Sequence, residues 1–251
     1  MTPSHTNLTA VPSHRVTDEI ASVVLEQDGQ TIHLRLDPLV PEPALARFDP
    51  AYLPSQAQVV ASGGRAAAWF VQLASLEAVL RHFRRGGLMA RLVRERYLWL
   101  GLERTRSFAE FDLLRIMWQA GLPVPRPLGA AVWRGSLTYR AALLTQRIQQ
   151  ARPLGQCAEP KVWFEAGRVI AQMHQFDVWH ADLNVFNLLV DAQDKVWIID
   201  LDRGRRKALT AMQRAENLSR LLRSVKKVAP ELESTCWHLF KQGYQAVFND
   251  A

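Results

Sequence analysis

From His180 to Asp200 the chain reads His-Ala-Asp-Leu-Asn-Val-Phe-Asn, then an apolar Leu188-Leu189-Val190, an Asp194-Lys195 turn, and a second apolar run from Val196 to Ile199 that ends on Asp200. Few folds accommodate such a stretch. The two apolar runs have the length of strands, and the turn between them makes a hairpin. A hairpin brings Asp182 and Asn187, five residues apart either side of a turn, close to Asp200 on the other arm. Two carboxylates and an amide in one place suit phosphoryl transfer from ATP. One carboxylate orients a hydroxyl and accepts its proton, while a carboxylate and an amide oxygen hold magnesium across the phosphates. The plainer reading is a pair of capped turns, since Asp and Asn are common loop residues.

The chain around this stretch has 251 residues, 48% hydrophobic and 22% charged, which predicts a packed globular protein of one large domain or two small lobes. Its formal net charge of +7 favours polyanionic partners: phosphates, nucleic acid or an acidic membrane face. Nucleic acid is set aside because no helix-turn-helix or zinc pattern accompanies the charge. Cys157 and Cys236 match no zinc or redox spacing, so reduced thiols in a cytoplasmic protein are expected. Residues 1–18 read as a flexible polar lead-in without the apolar stretch of a signal peptide, and no apolar run has the ~18 residues of a membrane span.

Along the chain, Glu19 to Glu26 and Thr31 to Leu36 read as strands joined by a tight Asp28-Gly29 turn. A proline-rich loop follows. Val59 to Leu73 then carries Ser62-Gly63-Gly64-Arg65 between apolar flanks, and Leu76 to Phe83 is strand-like. A helix is predicted from Thr105 to Ala120, stopped by Gly121, with a hairpin around Val132 to Trp133 and Ala141 to Leu144. Lys161 to Gln175 reads as a helix. Lys207 to Lys227 reads as a basic amphipathic one, with Leu209, Met212, Leu218, Leu221, Leu222 and Val225 on its apolar face. Strands dominate the first half and helices the second, which predicts an α+β protein of two lobes: residues 19–146 β-rich and residues 147–251 short and helical.

The residues from His180 to Asp200 resemble the catalytic loop and metal-binding Asp of the protein-kinase-like fold, H-x-D-L-x-x-x-N followed by an apolar strand and Asp. The resemblance implies Asp182 as catalytic base, Asn187 and Asp200 as magnesium ligands, and Leu189 under the adenine. Such a fold also needs a phosphate-covering loop, a basic residue on the third strand and an acidic residue on the following helix. Gly63, Gly64 and Arg65 are the candidate loop, Arg81 the basic residue in place of the usual Lys, and Glu110 its partner. Gln146 and Ile148 fall at the expected hinge, where backbone groups meet adenine. After Asp200 come Leu201-Asp202-Arg203-Gly204 instead of Phe-Gly, and too little chain remains for the helical platform that lays out peptides. Ala181 stands where many regulated kinases carry Arg. A small molecule or lipid headgroup is therefore the expected acceptor.

Leu80 to Leu88, Arg96 to Trp99, Thr105 to Phe111 and Ala120 to Pro127, together with the catalytic loop, resemble the 3-deoxy-D-manno-octulosonic acid (Kdo) kinases of the lipopolysaccharide-core kinase group, from about Gly63 to Arg223. The resemblance implies ATP-dependent phosphorylation of the 4-hydroxyl of Kdo on a lipid A precursor, with magnesium, by a peripheral protein on the cytoplasmic face of the bacterial inner membrane. No obligate protein partner is implied. Arg84, Arg85, Arg91 and Arg94, interleaved with Leu88, Met89, Leu92 and Val93, are the candidates for meeting anionic lipid or acceptor. A compact kinase acting on protein or another small molecule, and a non-catalytic nucleotide-binding regulator, remain open alternatives.

Overall fold

The computed structural model of the chain describes residues 19–27, 29–49, 58–59, 68–74, 76–84 and 96–249. The first lobe is an antiparallel sheet. Strands β1 (Ala21–Gln27), β2 (Gln30–Leu36), β3 (Gln58–Val59), β4 (Ala68–Leu73), β5 (Leu76–His82) and β6 (Tyr97–Leu98) precede helix α1 (Arg106–Gln119), and β7 (Pro127–Arg134) and β8 (Thr138–Gln146) follow it. Their spatial order is β1-β2-β7-β8-β5-β4-β3, with β6 paired to β8. The interior strands β7 and β8 are buried on both faces, which is why Leu128 to Val132 and Ala141 to Leu144 read as nearly continuous apolar runs.

Each face has its own core. On one, Ile32, Leu34, Val71, Ala78, Leu80, Leu128 and Leu144 pack under the short 3₁₀ helix Ala44–Phe48. Phe48 reaches so close to Gly129 that a Cβ there would stand 2.8 Å from its ring. On the other face, Ala130, Val132, Ala141 and Leu143 meet Phe108, Phe111, Leu114 and Met117 of α1. Period two therefore decides which residues of β5 look down into the second lobe. Ala78 and Leu80 are buried above, while Val79 and Arg81 lie half-exposed on the α1 side.

After β8 come β9 (Arg152–Pro153), α2 (Pro160–Gln175), β10 (Val178–Trp179), β11 (Leu188–Val190), β12 (Val196–Ile198), β13 (Arg205–Arg206), α3 (Ala211–Val228) and α4 (Pro230–Asn249). The predicted hairpin is β11–β12, with β9 on its other edge, and β10 pairs with β13. Helices α2 and α4 cross with their backbones touching. A Cβ on Gly167 would fall 2.0 Å from the carbonyl oxygen of Phe240, and one on Gly243 would fall 1.9 Å from that of Phe164, so only glycine fits either place.

Two expectations need correction. The last predicted helix begins at Ala211, because Thr210 closes a capping box with Gln213 and Lys207 is still bonded to the carbonyl of Asp177. Met212, assigned to its apolar face, is 79% exposed, and the buried stripe is Asn217, Leu221 and Val225. Helix α4, which packs against α2 and α3, was not anticipated as a separate element. The expected lead-in over residues 1–18 and Asp28 of the first turn lie outside the described residues; Gly29 is at φ +71.

Candidate active site

The catalytic-loop stretch is tied together by its own polar atoms. The backbone N–H of Asp182 donates to Nδ1 of His180 at 3.1 Å, so that nitrogen is the acceptor and the proton sits on Nε2, which donates to the carbonyl of Ile199 at 3.0 Å. His180 is fully buried, and burial lowers its pKa, as this neutral tautomer requires. The carbonyl of Asp182 accepts from the side-chain amides of Asn184 at 2.9 Å and Asn187 at 2.8 Å. The N–H of Ile199 donates to the carbonyl of Asn187 at 3.0 Å. One histidine and one backbone bond thus hold the Asp182 loop against the arm that carries Asp200. Because Asn187 spends its amide nitrogen on Asp182, its oxygen is the end open to a cation. Asp200 sits at φ +57, a left-handed conformation uncommon outside glycine, asparagine and aspartate.

Behind the loop is a buried polar chain for which the sequence offered no motif. Asn217 of α3 takes the N–H of His180 at 3.2 Å and gives its amide N–H to the carbonyl of the same residue at 2.9 Å. His174 of α2 donates from Nε2 to Asn217 Oδ1 at 3.3 Å, which leaves Nδ1 to accept from the hydroxyl of Tyr244 at 2.7 Å. Ser224 of α3 accepts from the N–H of Val185 at 2.8 Å. Burial lowers His174 to about 4, and it raises the Tyr244 phenol to about 12. A histidine whose folded pKa lies below its ordinary 6.5 supplies stability that is complete above 6.5 and lost as pH falls through 4. That loss is at most about 3 kcal/mol. His174→Gln, which can still donate to Asn217, is expected to flatten the fall in melting temperature between pH 6.5 and 4. An unchanged slope would assign acid sensitivity elsewhere.

Above the loop stands Arg81, at the end of β5. Its Nη1 meets Asp200 Oδ1 at 2.5 Å and its Nη2 pairs with Glu110 of α1. Burial raises the Glu110 carboxyl to about 7; Arg81 pulls it down, and the charge of Asp200 adds to the rise. Burial by itself would lower the Arg81 guanidinium. The two carboxylates outweigh burial and hold it above its ordinary range, so the arginine is charged throughout. A guanidinium flanked by two carboxylates partly offsets the burial that pushes Glu110 toward its neutral form.

A second fork lies beside it. Arg106, the first residue of α1, pairs both terminal atoms of Asp202, through Nε at 2.7 Å and through Nη2, and gives Nη1 to the hydroxyl of Tyr97 at 2.7 Å. Arg81 and Arg106 lie 4.6 and 5.3 Å from the centre of the Phe83 ring. With both oxygens engaged by one guanidinium, Asp202 serves to fix the segment after Asp200.

The remaining predicted residues divide. Leu189 stands half-exposed on β11. Gln146 and Ile148 line a small cavity of about 170 Å³ with Trp118, Arg126 and Trp197, in which Leu189 has no part, so what they can offer a base is backbone. At this bend the N–H of Arg147 donates to the carbonyl of Glu77 at 2.9 Å, and its guanidinium lies 3.7 Å over Phe70. Arg84 lines a larger cleft, of about 910 Å³, together with Arg81, Asp182, Asp200 and Asp202. Gly63, Gly64, Arg65, Arg85, Arg91 and Arg94 lie outside the described residues. Asp182 looks into the large cleft with its carboxylate 68% exposed and 3.6 Å from Arg220 of α3, a neighbour that the apolar pattern of α3 concealed.

Comparison with known proteins places the chain in a family. A family model described as lipopolysaccharide kinase (Kdo/WaaP) matches residues 51–244. A 3-deoxy-D-manno-octulosonic acid kinase of Stenotrophomonas maltophilia (strain R551-3) is 45% identical over 188 residues, covering 73% of this chain and 76% of that protein. One of the same name from Vibrio parahaemolyticus serotype O3:K6 (strain RIMD 2210633) is 44% identical over 195 residues, covering 75% and 82%. Among solved structures, a glucosamine kinase is similar over 96% of this chain and 85% of its own, with a TM-score of 0.48 and 13% identity.

Proposed function

The chain belongs to the lipopolysaccharide kinase (Kdo/WaaP) family and is a kinase; on that premise we propose that it transfers the γ-phosphoryl group of ATP to the 4-hydroxyl of Kdo on a lipid A precursor. The single observation that carries the reading is that Asp182 and Asp200 line one cleft, with Asn187 bonded to the carbonyl of Asp182 and the Arg81–Glu110 pair above them. In this reading Asp182 accepts the proton of the attacking sugar hydroxyl, and its exposure to the cleft leaves room for that hydroxyl. Arg81 presents its guanidinium to the phosphates and returns Asp200 to their side of the cleft. On the adenine side Leu189 supplies an apolar side chain, and because the N–H groups of Gln146 and Arg147 are taken by the carbonyls of Arg126 and Glu77, the backbone of Ile148 is what meets the base.

The donors suit magnesium: a carboxylate of Asp200 and the free amide oxygen of Asn187 are hard oxygen ligands at the ends of a fixed hairpin. Bound there, the ion would neutralise charge developing on the transferred phosphoryl group. The test is ATP with purified Kdo–lipid A precursor at neutral pH with magnesium. Phosphate on the Kdo 4-hydroxyl is expected, and a wild-type protein that leaves the sugar unlabelled overturns the proposal.

We also propose that the kinase works at an anionic membrane surface, the cytoplasmic face of the inner membrane. Leu98, Leu100 and Leu137 are exposed by 60%, 62% and 74% and share one edge of the sheet, where β6 pairs with the start of β8 and Trp99 bonds to the carbonyl of Leu137. Arg96 and Arg104 flank this edge, and Arg134 lies 4.8 Å over the ring of Trp99. Apolar tips rimmed by arginine suit shallow insertion among anionic headgroups. No described helix is long and apolar enough to cross a membrane. Leu98→Ser with Leu137→Ser is expected to weaken binding to phosphatidylglycerol vesicles about tenfold, equivalent to about 1.4 kcal/mol. Equal cosedimentation of variant and parent would remove this edge from consideration.

A further inference from the structure

The large cleft extends on the side of Asp182 away from the adenine end. It is lined by Arg81, Asp182 and Asp200, but not by Leu189, Gln146 or Ile148. Its far wall is basic. Arg203, Arg205 and Lys207 follow Asp200 in the chain, and Arg220 faces them from α3. Among the described residues, Arg81 and Arg106 have carboxylate partners in Asp200 and Asp202, and Arg220 stands loosely by Asp182. Arg203, Arg205 and Lys207 have no ion-pair partner among the described residues, and Glu216, one helical turn before Arg220 on α3, is the one lining carboxylate that makes no ion pair among them. Gathering like charges on one wall is unfavourable unless an anion joins them.

The wall is also built. Strand β13 pairs with β10 in the register Trp179 to Arg205 and Val178 to Arg206. Alternation sends Arg205 and Lys207 into the cleft, while Arg206 turns away and lies 4.1 Å over the ring of Phe176. The turn before the strand is fixed as well. Gly204 donates to the carbonyl of Leu201 at 2.7 Å, and a Cβ on it would fall 2.8 Å from that same oxygen. The Arg106 fork pins Asp202 just ahead of it. Arg220 contributes a buried Nε that has no hydrogen-bond partner.

We propose that Arg203, Arg205, Lys207 and Arg220 form an acceptor-docking subsite that binds an anionic oxygen group, carboxylate or phosphate, of the acceptor. The subsite presents the neighbouring hydroxyl to Asp182. This rests on the kinase reading above, and names the wall that recognises the acceptor. It is separate from the nucleotide phosphates, which are served by Arg81 across the cleft. An acceptor with one charged group next to its reacting hydroxyl and further anionic groups beyond it would engage the strand residues and Arg220 together.

The test is steady-state kinetics of the triple variant R203Q/R205Q/K207Q with Kdo–lipid A precursor, alongside calorimetric binding of that lipid in the absence of ATP. Arg220 is left in place because its loss would also act on Asp182. The expected result is an acceptor KM raised tenfold or more and lipid binding weakened to match, with the KM for ATP unchanged within twofold. R206Q, on the other face of the same strand, is expected to leave both acceptor values at the parental level. Assaying precursor stripped of its phosphates separates the sources. If the triple variant no longer distinguishes stripped from intact lipid, the subsite holds phosphate; if it still does, the subsite holds the sugar carboxylate. An acceptor KM within twofold of the parent, or an equal loss in R206Q, overturns the subsite. A parent that binds the lipid through these residues but never phosphorylates it would overturn the function and leave the subsite standing.

Discussion

Asp182→Asn is expected to lower kcat by about 10²–10⁴ while leaving nucleotide affinity within a few-fold of the parent. The reason lies in how the loop is held. The backbone N–H of Asp182 is taken by His180, and its carbonyl accepts from Asn184 and Asn187. Its carboxylate takes no part in that scaffold. The nearest charge, Arg220, is 3.6 Å away, beyond a good hydrogen bond. An amide of the same shape therefore leaves loop, hairpin and Asp200 where they are, and removes only the ability to receive a proton. Single-turnover phosphorylation with bound ATP isolates that step. A variant with more than a tenth of parental kcat would mean that another group takes the proton.

Arg81→Met should be the most damaging substitution for stability, by about 3–5 kcal/mol if the site behaves as a broken buried pair. Arg81 is 19% exposed, so water offsets part of that loss. Removing the guanidinium strands Glu110, whose side chain is only 2% exposed, beside Asp200. The carboxyl of Glu110 is already raised to about 7 by burial, and without Arg81 it rises further. A carboxyl with a raised folded pKa contributes stability that is fully present below about 4.5 and lost as pH climbs through the folded value. Chemical denaturation should therefore show a larger deficit for Arg81→Met at pH 8 than at pH 5. Adding Glu110→Gln should recover much of it at pH 8. A deficit that is the same at both pH values would show that Glu110 is not what Arg81 stabilises. Arg81→Lys is expected to recover part of the stability but not the bridge, since one ammonium has no planar fork to join Glu110 and Asp200 at once.

What could be read directly from the chain was local. Asp182, Asn187 and Asp200 lie within one hairpin, and spacing alone brings them together. Arg81 and Glu110 could be paired only through the expectation of a kinase-like fold, since 29 residues separate them. Asn217 was illegible for a physical reason. A polar residue on the buried stripe of α3 reads as a break in amphipathicity, and its purpose appears only when the backbone of His180 is laid against it. The same stripe reading promoted Met212, which lies within the first turn, where the Thr210 cap turns it to solvent. Helix α4 lies wholly beyond Lys227, where the predicted helix stops; a single residue, Ala229, separates it from α3, and Leu232, Cys236 and Phe240 give it a buried stripe at a spacing of four. Arg106 and Asp202, 96 residues apart, meet only across the two lobes.

The glycine crossing of α2 and α4 reaches further than packing. Tyr244 follows Gly243 immediately, and its hydroxyl is the outermost member of the relay that runs through His174, Asn217 and His180 to the N–H of Asp182. The distance between two helix backbones thus gauges where Asp182 stands, although neither helix lines the cleft. For anyone trimming the protein, the tail is then no spare length. A chain cut ahead of Tyr244 would keep every residue of the H-x-D loop and still lose the fixed point from which that loop is measured.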